Sequence, residues 1–148
     1  MKNKITTILL SLFLCIGAQS FATTQKLEKK TEQALNKVKK KAKRDKDLGP
    51  FFDKIEDWDE HIERLTTFWE SSLFLKTKYY GDPLEAHIKA DKQHNNSISE
   101  YHFGIWLNLW FKTIDELFEG DYAENAKRRA RKMGTFMYLK IFEARLKD

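Results

Sequence analysis

The chain contains very few residues that interrupt helices. Of its 148 residues, only six are glycine and two are proline. No run of alternating β-branched residues lies between turn signals, as a strand would require. A hydrophobic content of 41% and a charged content of 33% fit a folded globular protein and exclude a disordered one. The sequence therefore predicts a single all-α domain with a modest core.

The first 22 residues have the pattern of a secretory signal peptide. Two lysines precede an apolar run from Ile8 to Ile16, and small residues stand at Ser20 and Ala22, the positions that a signal peptidase reads. The run is short for a transmembrane helix, so an uncleaved membrane anchor is the weaker alternative. It also contains the single cysteine of the chain. We expect a cysteine-free mature protein that begins at Thr23 and is periplasmic or secreted.

A lysine-rich segment, residues 23–46, opens the mature chain. Apolar residues recur at helical spacing from Leu27 to Ala42, which predicts a helix. Between Lys26 and Lys46 there are ten basic and three acidic residues, a local net charge of +7, whereas the whole chain carries +5. Such a helix could contact an anionic surface weakly or be a solvated face. It has no aromatic residues for base stacking, so we do not expect nucleic acid as a partner.

Residues 47–148 form the remainder of the predicted domain. Gly49-Pro50 breaks the first helix, and a second helix is predicted from Trp58 to about Leu75. A short helix follows with Pro83 near its start, and a polar loop leads to a long aromatic helix capped by Ser99. Gly120-Asp121 should end that helix, and a last helix should turn Ala126, Ala130, Met133, Met137 and Ile141 inward.

Two histidines lie on apolar faces of neighbouring predicted helices. His61 is in line with Leu65, and His87 shares a face with Leu84. Either could be a core histidine that bonds to a backbone carbonyl. No carboxylate or cysteine joins them at ligand spacing, so they make a poor zinc site. One axial imidazole in an apolar, aromatic slot suits haem iron better, and the absence of Cys-x-x-Cys-His indicates a non-covalent haem b.

Four blocks, "LGPFF", "DEHIERLTTFW", "YYGDPLEAH" and "HFGIWLNLW", resemble the group III truncated haemoglobins in content and order, over about residues 45–142. The resemblance implies a shortened globin in which two helix pairs cross over one another. It implies that His87 is the proximal ligand of the haem iron and His61 the distal histidine. It also implies that Trp106 lines the distal pocket and that Phe52 packs on the macrocycle.

Other residues are candidates for contacts around the haem. Leu65 lies on the stripe of the distal helix, and Lys78 and Tyr79 could reach the haem propionates or simply form a polar turn. We interpret His94 as a solvated loop residue and His102 as a surface residue at a helix start.

The chain departs from the family at two places. The family usually has a ligand-facing tyrosine on its first helix, and counting back from "LGP" without gaps places Lys39 there. No tyrosine occurs between Thr23 and Lys78. We expect Lys39 to extend to solvent with its charge. The loop between His87 and His102 is also longer than in the family, a surface change.

Three classes of function fit these features. The first is a haem protein that acts as a carrier rather than an enzyme and reversibly binds dioxygen or another diatomic ligand. The second is an enzyme for peroxide or nitric-oxide detoxification. Since no reductase motif is present, it would need an outside electron donor, which the sequence does not identify. The third is a globin that has lost haem and become a binding module, through its basic helix for example.

Overall fold

Helices account for every regular element in the part of the chain that the structure describes. The structure is a computed structural model and describes residues 23, 25–74 and 79–147. The predicted signal peptide and Lys78 lie outside these residues. Helix α1 spans residues 25–44, and a 3-10 helix (Gly49–Phe52) and helices α2 (Trp58–Phe74), α3 (Pro83–Gln93), α4 (Glu100–Leu117) and α5 (Gly120–Arg145) follow. The all-α prediction is confirmed. None of the described helices is long and apolar enough to cross a membrane.

The start of α3 is set by side chains that the sequence places there. The carboxylate of Asp82 accepts a hydrogen bond from the backbone N–H of Glu85 at 3.0 Å. Such a cap satisfies an N–H group that has no partner within the helix. Pro83 occupies the first helical position, where its missing N–H costs nothing. The predicted role of Pro83 at this start is confirmed.

The ends of α4 differ in how well the sequence predicts them. Ser99 is the N-cap residue, as predicted, and its backbone N–H donates to Nδ1 of His102 at 3.0 Å. The prediction that α4 ends at Gly120-Asp121 is wrong, because the helix ends at Leu117. Gly120 instead begins α5, and its φ of 70° is one that residues with a side chain rarely adopt. The glycine therefore serves the turn into the next helix.

The hydrophobic core is built jointly by α1, α2, α4 and α5. Its buried members are Ala34, Leu35, Val38, Ile62, Trp69, Trp110, Ile114, Ala123, Ala126 and Ala130. On α5 the predicted inward residues Ala126, Ala130, Met137 and Ile141 are buried, and Met133 is partly buried. The 3.6-residue period of the sequence therefore identified the buried faces correctly.

Helix α5 packs against α4 and α3. Gly134 lies where α5 meets α4, and a Cβ atom there would lie 3.4 Å from a methyl carbon of Leu107. An alanine at this position would therefore make an ordinary van der Waals contact with α4. Through its contact with α3, α5 also supports the helix that carries His87.

Three lysines of α1 contact the carboxyl-terminal end of α4. Nζ of Lys30 donates to the carbonyl of Leu117 at 2.8 Å, and Lys37 and Lys41 pair with Glu116 at 3.2 and 3.1 Å. Cations are favourable at a helix carboxyl end, where the carbonyl groups lack partners. Part of the basic face of α1 is thus compensated inside the molecule.

Candidate functional site

His87 is held in one tautomer by its own helix. Its Nδ1 lies 2.6 Å from the carbonyl oxygen of Pro83, one turn earlier on α3. Because a carbonyl only accepts, Nδ1 must donate, so in the neutral ring Nε2 keeps its lone pair. Burial lowers the pKa of His87, and the hydrogen bond to Pro83 opposes this. Nε2 has no hydrogen-bond partner among the described residues, so its lone pair is available to bind a metal ion.

Phe103 forms one wall beside His87. The two rings stack with their centroids 6.0 Å apart and an angle of 23° between their planes. Phe103 belongs to the apolar stripe of α4, so the sequence predicted its burial but not its position against the histidine. The stacked ring restrains the imidazole from the side that faces α4.

His61 lies on α2 next to the ring of Trp58, which in turn contacts Phe52. Its ring is 5.5 Å from that of Trp58, in an edge-to-face arrangement, and Trp58 is 5.8 Å from Phe52. The sequence analysis did not select Trp58. It precedes His61 by three residues, the spacing that places two side chains on one helix face, and this signal would have found it.

The two histidines lie within electrostatic range of each other. The pKa of His61 is lowered chiefly by burial and then by the charges of Arg64, His87 and Lys39, while Glu60 acts in the opposite sense. The structure therefore brings His61 and His87 to one region, as predicted from the turn between their helices. Both imidazoles are favoured in the neutral form there.

Trp106 is part of a stack of three indole rings. Its ring centroid is 5.6 Å from that of Trp110 and 6.5 Å from that of Trp69, and the Trp69 and Trp110 centroids are 4.5 Å apart. All three ring planes lie within 20° of one another. Trp110 is fully buried, and its indole N–H has no hydrogen-bond partner within the described ranges. The stack connects α2 to α4.

The remaining predicted haem-contact residues have different environments. Leu65 is partly buried and packs against the core. The ring of Tyr79 meets Phe68 edge to face at 5.1 Å, so it packs against α2. Lys78 lies outside the described residues. No three histidine, cysteine or acidic side chains of the described part group as ligands for a metal ion.

The expectations for His94 and His102 have different outcomes. The prediction that His94 is solvated is wrong: it is partly buried, with Nδ1 2.8 Å from the carbonyl of Ala90 and Nε2 3.1 Å from that of Pro50. It thereby links the end of α3 to the 3-10 helix. His102 is at the start of α4, as predicted, and its ring also contacts Phe51 at 4.7 Å.

Lys39 does not extend freely to solvent, which corrects the expectation for this side chain. It is partly buried, and its Nζ lies 4.9 Å from the centroid of the Trp58 ring. Nζ of Lys43 lies at the same distance from that ring. The negative face of an indole attracts ammonium groups, which explains why both lysines turn towards it.

The helix order and the joint core define a truncated globin fold. The crystal structure of a group III truncated haemoglobin from Campylobacter jejuni superposes with a TM-score of 0.67 at 23% sequence identity, covering 77% of this chain and 90% of that one. In sequence, the chain is similar to ctb, a group 3 truncated haemoglobin of Campylobacter jejuni, with 28% identity over 95 residues, 61% of this chain and 71% of the relative. No family model matches. The predicted resemblance to group III truncated haemoglobins is confirmed.

Proposed function

We propose that this chain is a haem-binding truncated haemoglobin that takes up dioxygen or another diatomic ligand at a histidine-ligated iron. The observation that carries the proposal is the state of His87. Its Nδ1 is engaged by Pro83, and its Nε2 lone pair is free of described protein partners. Nδ1–H bonded to a backbone carbonyl is the arrangement that orients histidines which bind metals. The names of the two relatives support the same cofactor.

The residues around His87 fit a flat, apolar macrocycle of the haem b type. Phe103 stacks on the proposed proximal imidazole, Trp58 provides an apolar ring beside His61, and Phe52 packs against Trp58. When bound, the haem supplies an iron atom with one coordination position for a small ligand. On our proposal His87 binds this iron and His61 occupies the distal side. The lowered pKa of both histidines suits these roles, because a neutral imidazole has a lone pair for iron and one N–H for a ligand.

Other residues have supporting roles in this proposal. Trp106 lines the distal wall and offers its indole N–H, and Leu65 contributes apolar contact. Tyr79 and Lys78 are the candidates for contact with the haem propionates. Reversible binding is the favoured activity. Turnover of peroxide or nitric oxide would require electrons from an outside donor.

Reconstitution with haem tests the proposal directly. The purified protein is freed of haem and titrated with haemin, and we expect a Soret band that saturates at one haem per chain. His87→Ala should abolish stable retention, because an apolar slot alone provides no directed bond to iron. His61→Leu should retain haem and change only the kinetics of ligand binding.

Two other outcomes would redirect the proposal. Far-ultraviolet circular dichroism confirms first that both variants remain helical. If His61→Leu lost haem while His87→Ala kept it, the proximal and distal roles would be reversed. If the folded wild-type protein formed no stoichiometric Soret band, the chain would be a globin-fold binding module that has lost haem.

A further inference from the structure

Positive charge is concentrated next to His61. The ammonium groups of Lys39 and Lys43 both lie 4.9 Å from the ring centroid of Trp58. The same ring is 5.5 Å from that of His61. The charges of Arg64 and Lys39 also act on the His61 imidazole. Two helices, α1 and α2, therefore direct cations to this part of the site.

Acidic residues do little to compensate this charge. Among the described residues, Glu60 is the acidic residue whose charge opposes the lowering of the His61 pKa, and its effect is smaller than that of Arg64 or Lys39. Its carboxylate lies 3.6 Å from the guanidinium of Arg64. Neither Lys39 nor Lys43 forms an ion pair with an acidic residue of the described ranges. The charged groups of the described residues that act on His61 are therefore mainly cationic.

Three other lysines of α1 have a different environment. Lys37 and Lys41 share the carboxylate of Glu116, and Lys30 bonds to the carbonyl of Leu117. Those charges are partly compensated at the end of α4. Lys39 is partly buried over an aromatic ring and has no such acidic partner in the described part of the chain.

We propose that Lys39 is a specificity-determining residue of the proposed distal site: its ammonium charge favours a small monovalent anion, of the azide or nitrite type, over a neutral ligand. This inference rests on the proposed haem function and adds the role of Lys39 to it. An anion in a partly desolvated site gains Coulomb energy from a nearby ammonium group, whereas a neutral diatomic ligand gains almost none. The face of Trp58 offsets part of the cost of keeping Lys39 charged there. His61, neutral, has one N–H to donate to the anion.

Azide binding to the ferric, haem-loaded protein tests the proposal. Spectral titration should show that Lys39→Met weakens azide affinity by about fivefold to tenfold, as loss of one nearby charge predicts. Lys39→Arg should keep most of the affinity. Lys40→Met is the matched control, since Lys40 is exposed on the same helix and should leave affinity unchanged within about twofold.

Binding of a neutral ligand and the effect of added salt distinguish an electrostatic role of Lys39 from a packing role. The affinity of the ferrous protein for carbon monoxide should be the same in the wild type and in Lys39→Met. Higher ionic strength should weaken azide binding to the wild type more than to Lys39→Met, because part of the attraction is then screened. Equal loss of carbon monoxide and azide affinity would overturn the proposal in favour of a packing role for Lys39.

A haem propionate is an alternative anion for the same lysine. If Lys39→Met speeds the transfer of haem to a scavenger globin and leaves azide affinity unchanged, the ammonium group holds a propionate and the proposal is wrong. If haem transfer is unchanged and azide affinity falls, the proposal stands. Failure of the wild type to form a Soret band would instead refute the haem function itself.

Discussion

The carboxylate of Asp91 is held at both oxygens by the guanidinium of Arg145, with N–O distances of 2.8 and 2.7 Å. Asp91 is 2% exposed and lies one helical turn beyond His87 on α3, whereas Arg145 is the last residue of α5. The backbone of Ile98 completes the arrangement: its N–H donates to Asp91 and its carbonyl accepts from Arg145. This ion pair fixes the end of the helix that carries the proposed proximal ligand.

Arg145→Met should destabilise the protein by about 3–5 kcal/mol, because it leaves the buried carboxylate of Asp91 without its charged partner. Urea unfolding of the haem-free protein measures the change. Lys140→Met is the control, since it breaks the exposed ion pair with Glu143 at 2.6 Å and should cost less than about 1 kcal/mol. If both variants lost a similarly small free energy of unfolding, the buried ion pair would contribute no more to stability than the exposed one.

Acidification should destabilise the haem-free protein. The folded-state pKa values of His61 and His87 are lowered from 6.5, chiefly by burial in both cases. Between these lowered values and 6.5 the unfolded chain binds more protons, so stability falls as the pH falls through this window. Thermal melts from pH 7.5 to about pH 5 should show it. His87→Gln should reduce the dependence, and an unchanged slope in that variant would contradict the contribution of His87.

Lys39→Tyr should slow the dissociation of dioxygen. A tyrosine hydroxyl at this position, next to Trp58 and His61, can donate a hydrogen bond to the ligand. One such bond contributes about 1 kcal/mol, which corresponds to a rate roughly fivefold lower. Stopped-flow measurements compare the variant with the wild type, and Lys40→Tyr serves as the surface control. Unchanged or faster dissociation in Lys39→Tyr would refute the position assigned to residue 39. By the same argument, the wild type should release dioxygen and oxidise faster than tyrosine-bearing relatives.

Expression of the full chain in a Gram-negative host should yield a product that begins at or near Thr23 in the periplasmic or secreted fraction. The reason is the basic, apolar and small-residue order of residues 1–22. Intact-mass measurement of each fraction is sufficient. A cytosolic product that begins at Met1 would exclude cleavage and favour the membrane-anchor alternative.

Periodic features were predictable from the sequence, and contacts between distant residues were not. The apolar spacing on α5 predicted the burial of Ala130 and Ile141 because one helix face repeats every three or four residues. His94 was misjudged because its partner Pro50 is 44 residues away in the chain. Lys39 was misjudged for a similar reason, since the ring that attracts it belongs to another helix.

The same difference between local patterns and distant contacts applies to the proposed site. His61 and His87 were selected as candidates by their places within motifs and by the turn that joins their helices. The contact of Phe103 with His87 depends on how α4 packs against α3, and no local sequence pattern encodes this packing. The same holds for Asp91 and Arg145, which stand 54 residues apart and were not selected.

The stacked indoles of Trp69, Trp106 and Trp110 give the molecule an optical property. Transition dipoles at centroid distances of 4.5 to 6.5 Å couple, so the rings absorb polarised light as one chiral chromophore rather than as three. Because Trp69 belongs to α2 and the other two rings to α4, the sign and size of the resulting ultraviolet dichroism depend on how these helices are offset. Any sliding of α2 along α4 would alter that spectrum before helix content changed.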